Sequence, residues 1–337
     1  MSVKTPAKTK PFISVVMPAY NAGLFIGEVI ATILEQTFPD LELIIIDDGS
    51  TDNTAEIIKK YADIDSRIKY HYQQNRGSKN LGETINTAVS FAKADWIARA
   101  DSDDPWYLDK LEKQVAFLES HPDYILIGGT ANVTNERGEF LYNLYGPLDD
   151  DDNRRALTLY TTLAHGSVIF RKDIFEKLNG YQNIHAVEDL DLWQRMSAYG
   201  KIYNIPEPLF KYRKNTLGIS MSNQDHQSKM VEKLGIEFFK SQTPKALSRE
   251  EFRTKLNSIN SLRKKSPLPE HVVDWLLVRL TEDNVKISRL FVKYGDKKSG
   301  YKQLFGIAFS GRLGMKTVLK TLYKNITFKV THLWKRA

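Results

Sequence analysis

The sequence predicts an α/β protein: a doubly wound, mostly parallel sheet flanked by helices, followed by a helical C-terminal extension. Three observations predict it. Short apolar runs alternate with segments of helical spacing through the first hundred residues. Polar clusters, two of them rich in acids, stand where three of these runs end. From about residue 228 strand signals stop and helical spacing dominates.

Taken in order, FISVVMPAY (12–20) is a continuous apolar run of the kind a strand buried on both faces requires. GLFIGEVIATILEQ (23–36) follows with Ile26, Ile30, Ile33 and Leu34 at helical spacing. LELIIIDDGS (41–50) is a second buried strand running into turn residues, and TDNTAEIIKKYA (51–62) is a helix with capping residues in front. RIKYHYQQ (67–74) alternates like a strand nearer an edge, LGETINTAVSFAKA (81–94) returns to helix, and WIARA (96–100) is the next strand. Right-handed crossovers join such units. KLEKQVAFLESHP (110–122) then reads as a helix stopped before Pro122, and YILIGGTANVTN (124–135) as a strand. LDDDDNRRA (148–156) marks an exposed loop or a helix start. The segment 164–181 reads as a short strand and a helix closed by Gly180, 186–200 as a helix closed by Gly200, and 206–222 as a late strand and polar loop. The expected organisation is a basic tail over 1–11, an α/β domain over 12–227 and a helical, basic region over 228–337.

A chain of 337 residues with 42% hydrophobic content can bury a sizeable core. It has no cysteine, which excludes disulfides and thiolate ligands and suits a reducing compartment. No window approaches the 18 apolar residues of a spanning helix, and the lysines of residues 1–11 precede no signal-type apolar region. The net charge of +7 is uneven: residues 286–337 hold 13 Lys and Arg against one acid, so the first 285 residues carry −5.

Doubly wound sheets bind ligands outside the carboxyl ends of their strands. Pro18-Ala19-Tyr20-Asn21, Asp47-Asp48-Gly49-Ser50 and Asp101-Ser102-Asp103-Asp104 all stand at such ends and should converge on one pocket. Asp101 and Asp103 can offer hard oxygen ligands to Mg²⁺ or Mn²⁺. Asp104-Pro105 reads as the opening of the next helix, with Asp104 as its cap. A calcium loop beginning at Asp101 fails at its sixth position, which needs glycine and holds Trp106. No glycine-rich dinucleotide or Walker motif follows a strand, so diphosphate charge falls to a metal. Asp48 is either a strand-end turn residue or an acceptor for a base or ribose. Glu188, Asp189 and Asp191 crowd the first turn of a helix, more acid than the helix dipole needs, and supply candidates for a general base. His165 and Trp193 are candidates for the acceptor side, against ordinary packing roles.

ISVVMPAYNAGLFIGEVIATILEQTFPDLELIIIDDGSTDNT, IARADSDDPWYLDKLEKQVAFLESHPD and EDLDLWQR, in this order and spacing, together resemble bacterial family 2 glycosyltransferases of the GT-A fold. The resemblance covers about residues 11–222, making 12–227 the catalytic domain. It implies donor contacts from Pro18, Ala19 and Tyr20, a base contact from Asp48 and a basic donor contact from Arg76. It implies that Asp103 is the firmer metal ligand and that Asp101 lies near the ribose. Asp189 matches the expected general base, with Glu188 and Asp191 as fallback assignments. The processive members carry Q-x-x-R-W and spanning helices, whereas this chain has Asp191-Leu192-Trp193-Gln194-Arg195, so addition of a single sugar is expected. The late Y-R-x-H of the family stands here as Tyr212-Arg213-Lys214-Asn215, which puts a role for its last position in doubt.

The resemblance implies inverting transfer from a nucleotide-diphosphate sugar, UDP-linked, to a hydroxyl of a surface-polysaccharide or lipid-linked glycan. The rivals are a nucleotidyltransferase, which should show a glycine-rich basic loop after the first strand that PAYNAGLFIGE lacks, and a non-catalytic nucleotide-sugar-binding protein. Residues 311–334 place Met315, Leu319, Leu322, Ile326, Val330 and Leu333 on one helical face beside Lys316, Lys320 and Lys324. That face suits an anionic membrane surface or docking on the catalytic domain. A cytoplasmic protein, peripheral on the inner membrane through residues 286–337, is expected, and no nucleic-acid partner.

Overall fold

The computed structural model describes residues 10–214, 224–242, 247–248, 250–255, 257, 270–294, 303–304 and 307. The basic helix expected at 311–334 and position 215 lie outside the described residues. The chain divides into two compact units, Met1–Asn153 with Thr161–Met230, and Arg154–Tyr160 with Val231–Ala337.

The first unit is built on an eight-stranded sheet: β1 (Ile13–Ala19), β2 (Leu41–Asp47), β3 (Ile68–Tyr72), β4 (Trp96–Arg99), β5 (Tyr124–Thr134), β6 (Phe140–Leu144), β7 (Ile169–Arg171) and β8 (Lys201–Arg213). The strand order is β3-β2-β1-β4-β7-β5-β6, with β8 paired to β5. β1 to β4 run parallel to one another, and β8 runs parallel to β5. β7 lies antiparallel between β4 and β5, and β6 is an antiparallel partner of β5. Every residue of β1 and β2 is buried, as their unbroken apolar sequences require. The hairpin strand β6 was not foreseen, and its residues Phe140, Leu141 and Tyr142 are exposed.

The helices are α1 (Ile26–Leu34), α2 (Thr54–Ile64), α3 (Leu81–Phe91), α4 (Lys110–Ser120), α5 (Asp150–Ala156), α6 (Lys172–Lys177) and α7 (Glu188–Met196), then α8 (Gln224–Gln242) and α9 (Glu270–Tyr294). In α1, Ile26, Val29, Ile30 and Ile33 form the buried stripe and join the core with β1 and β2. Each contributes about 1.5–3 kcal/mol by leaving water.

Asp104 does not cap a helix. It is buried in a loop, its Oδ1 accepts the backbone N–H of Arg213 at 2.7 Å, and α4 starts only at Lys110. The loop runs along β8, with Tyr107 N–H donating to Leu209 O and Lys211 N–H to Pro105 O. That docking delays the helix by more than a turn.

In the second unit, Phe252, Leu280, Val285 and Ile307 share a core with Leu247. Tyr160 donates its hydroxyl to Asp283 Oδ2 at 2.7 Å, and the Arg279 guanidinium lies 4.1 Å from the Tyr160 ring centre. No described helix is long and apolar enough to cross a membrane.

Candidate active site

Because β2, β1 and β4 are parallel neighbours, the residues that follow them share one edge of the sheet. Pro18 and Ala19 are buried at the end of β1, and Tyr20 beyond them is 52% exposed. Asn21 adopts a φ of 46°, and its Oδ1 accepts Thr51 N–H at 2.8 Å, which stitches the first loop to the second. Asp48 is buried. Its carboxylate accepts Gln73 Nε2 at 2.5 Å and the backbone N–H of Arg76 at 3.1 Å, so it holds the loop after β3 in place. Gly49 lies at φ 75°, and a Cβ there would stand 2.7 Å from Asn75 N, so the turn needs glycine for both conformation and space. The Arg76 side chain is exposed and pairs with Glu83 at 3.7 Å.

Beyond β4, Asp101 forms an ion pair with buried Arg99. Burial works against the Arg99 charge, but Asp101 outweighs it and holds the guanidinium above its ordinary value. Asp103 has no such partner. Burial first, then the neighbouring Asp101 charge, push its carboxyl up to about 6, against the opposing pull of Arg99 and Arg213. Asp104 is raised well above the carboxylate range by burial and by Asp101 and Asp103. Three carboxyl groups are therefore crowded around one buried guanidinium.

The facing wall comes from α7 and from the short turn His165–Ser167. Asp189 Oδ1 accepts the Leu190 N–H at 2.7 Å, and its Oδ2 accepts the Thr161 hydroxyl at 3.1 Å. Burial raises the Asp189 carboxyl against these hydrogen bonds. Glu188 is pushed up to about 7 by burial and by Asp189. Asp191 is held apart from them. It accepts Arg195 at 2.6 Å, and Arg195 also donates to Leu178 O and Gly180 O, so Arg195, steadied by Asp191, fastens α7 to the residues after α6. His165 Nε2 lies 2.7 Å from the Tyr181 hydroxyl, and burial and Arg99 hold the imidazole well below its ordinary value, hence neutral. Trp193 is wholly buried and packs against His165, Phe170 and Tyr181, so it supports this wall from behind.

The Tyr181 hydroxyl lies within electrostatic reach of Arg99, Asp189, Glu188 and Asp101. The end of β4 and the start of α7, nearly ninety residues apart, thus share one polar centre. Residues 14–178 match the family described as Glycosyl transferase family 2. A protein named as a glycosyltransferase, EpsE of Bacillus subtilis (strain 168), is 36% identical over 211 residues, 61% of this chain and 74% of that protein. This chain belongs to glycosyl transferase family 2. The O-antigen biosynthesis glycosyltransferase WbnJ of Escherichia coli is 35% identical to this family 2 member over 185 residues, 55% of this chain and 71% of WbnJ. Among solved structures, S. aureus TarS 1–349 in complex with UDP-GlcNAc aligns with a TM-score of 0.54 at 18% identity, covering 88% of this chain and 91% of that one. The mannosyltransferase PcManGT from Pyrobaculum calidifontis, in complex with GDP-Man and Mn²⁺, gives 0.51 at 16% identity, covering 98% and 89%. These likenesses establish a GT-A type fold for the transferase.

The donor chemistry of the Asp101–Asp103 pair fits a divalent cation. Both carboxylates offer hard oxygens, and Asp103 is raised by burial and by the Asp101 charge, a cost that a cation would offset. Among the described residues no cluster of three or more His, Cys, Asp or Glu could enclose an ion by itself. The pair therefore suits Mg²⁺ or Mn²⁺ completed by water and diphosphate oxygens.

Sequence reasoning missed Arg99, Thr161 and Tyr181 in this transferase. Arg99 alone left a signal, a cation inside the otherwise apolar strand run WIARA. The coupling at Glu188 has a measurable result. The unfolded chain releases that proton near 4.5, while the folded chain keeps it to about 7, so this group's contribution to stability falls as pH rises through that window. Glu188→Gln is expected to flatten the decline of Tm between pH 5 and 8 in calorimetry, and an unchanged slope would assign the titration elsewhere.

Proposed function

We propose that this family 2 glycosyltransferase moves a single sugar, with inversion, from a UDP-linked sugar to a hydroxyl of a surface-polysaccharide or lipid-linked glycan. The observation that carries this reading is the gathering of Arg99, Asp101, Glu188 and Asp189 about the Tyr181 hydroxyl. A charge-bearing donor loop and a buried carboxylate with a raised proton affinity then face one reaction centre. The name of WbnJ supports a polysaccharide acceptor, and the UDP-GlcNAc complex of TarS supports a UDP-linked donor.

In this mechanism Asp189 accepts the proton of the acceptor hydroxyl as its oxygen attacks the anomeric carbon. Thr161 and the Leu190 N–H fix the carboxylate, and burial raises its proton affinity toward that of a useful base. Asp191, held by Arg195, is not needed for this step. Arg99 holds Asp101 on the ribose side, while Tyr20, Asp48 and Arg76 receive the nucleotide. Asp103 with Asp101 would hold Mn²⁺ or Mg²⁺, which when bound supplies charge neutralisation at the departing diphosphate.

The test is UDP release from UDP-glucose and UDP-GlcNAc, or GDP release from GDP-mannose, with Mn²⁺ present. Turnover of a UDP-sugar is expected, falling by on the order of 10²-fold in excess EDTA and returning with added Mn²⁺. Full activity in EDTA would remove the metal from the reading, and silence with all three donors would reject the donor class.

A further inference from the structure

Helix α4 begins at Lys110, a short loop after Asp101–Asp104, and two of its polar residues are wholly buried. Lys110 and Gln114 each have 0% exposure and stand four residues apart, on one face of the helix. Burying an ammonium and an amide is costly unless each finds partners. Their donor nitrogens find partners at the same place, while Gln114 Oε1 accepts no hydrogen bond among the described residues. Lys110 Nζ donates to Gly166 O at 3.1 Å, and Gln114 Nε2 donates to Ser167 O at 2.8 Å. Lys110 Nζ also lies over the Trp106 ring, 3.1 Å from its centre. Two successive carbonyls of the turn His165–Ser167 are thus gripped from one helix face.

That turn touches both halves of the site. A Cβ on Gly166 would stand 2.9 Å from Asp101 Oδ2, so the turn backbone lies directly against the donor-side loop. Its first residue, His165, bonds Tyr181, the group around which Glu188 and Asp189 gather. Ser167 is bound from its other side as well, its hydroxyl donating to Ala164 O at 2.6 Å and receiving Gly129 N–H at 3.1 Å. Burial and the nearby Arg99 charge hold the Lys110 amine well below its ordinary value, which lessens the cost of enclosing it.

We infer that Lys110 and Gln114 are positioning residues, a two-pronged clamp by which α4 fixes the acceptor-side turn 165–167 against the donor-side loop 101–104. The clamp acts through backbone carbonyls and touches no reacting atom. Its catalytic consequence rests on the transferase reading given above. A wall displaced by about 1 Å is enough to cost up to 10²-fold in a reaction that depends on alignment.

Lys110→Met and Gln114→Met keep the size and remove the donors. Each is expected to lower kcat for UDP release from the donor that the wild type turns over by about ten-fold or more, with the donor KM within about two-fold. Hydrogen exchange on the same proteins, without any donor, is expected to be about ten-fold faster at the amides of residues 165–168 and unchanged in β1 and β2. Wild-type activity together with an unaltered kcat in a folded variant overturns the clamp, and so does unaltered exchange at 165–168. Should Lys110→Met fail to fold, Gln114→Met decides, since it removes no charge. A wild type that releases no nucleotide defeats the proposed donor class, while the exchange data still decide whether the clamp holds the turn.

Discussion

Asp189→Asn is expected to reduce turnover by on the order of 10²-fold or more while the protein stays folded. The environment of Asp189 accommodates the amide. Its carbonyl oxygen can keep the Leu190 N–H, now at 2.7 Å from Oδ1, and its NH₂ can face the Thr161 hydroxyl, which rotates from donor to acceptor. Removing the charge also ends its repulsion of Glu188, which is pushed up to about 7 by burial and by Asp189. Folding should therefore be unharmed or slightly favoured at neutral pH, where the wild type must carry both carboxyls in a buried place. What the variant loses is the capacity to accept a proton, so kcat should fall with little change in donor KM. Steady-state release of nucleotide, beside a thermal melt, measures both. Turnover near wild type in a folded Asp189→Asn would remove Asp189 from the base role, and a matching loss in Glu188→Gln but not in Asp189→Asn would move the role to Glu188.

The parallel half of the sheet was legible because burial on both faces leaves no freedom in composition: FISVVMPAY and LELIIID could hardly be anything but central strands. The other half obeys different physics. β7, read as a short strand within 164–181, pairs with β4 and β5 in the opposite direction, which its three residues do not record, and β6 keeps apolar residues in solvent and leaves no clear pattern. The carboxylates of the site were legible as clusters because two strand ends and one helix start carry more acid than turns require. Their division of labour was not. Asp104 was read as a cap because Asp-Pro opens helices, but the backbone of Arg213, 109 residues away, claims it first. Asp191 matched the acid-rich turn, but its neighbour one turn on, Arg195, occupies it. Lys110 and Gln114 carry no signal within the helical segment 110–122, since the carbonyls that bind them lie 56 and 53 residues further along the chain. Local spacing records which residues share a face, and only the fold records what that face meets.

The same distinction separates the two aspartates of the metal pair, and it predicts opposite costs for one substitution. Asp103→Asn should abolish most activity, by on the order of 10²–10³-fold, yet leave stability equal or improved without metal. Its carboxyl is pushed up to about 6, so the folded chain resists its ionisation above the ordinary 3.8, and at pH 7.5 the charge is a burden that the amide relieves. Asp101→Asn removes the ion-pair partner of Arg99, which is 3% exposed, and leaves the buried guanidinium with Asp103 and Asp104 near it but not paired to it. Breaking such a pair costs about 3–5 kcal/mol. Thermal melts at pH 7.5 in EDTA should therefore rank Asp103→Asn at or above wild type and Asp101→Asn well below it. With Mn²⁺ and UDP added, the wild-type Tm should rise and that of Asp103→Asn should rise much less, because the stabilisation follows the affinity for the bound form. An equal rise in both proteins would show that Asp103 holds no cation, and a loss of stability in Asp103→Asn without metal would show that its charge supports the fold. If both expectations hold, Asp103 is a carboxylate that costs the protein stability without metal and that its chemistry requires, whereas Asp101 serves the fold as the ion-pair partner of Arg99.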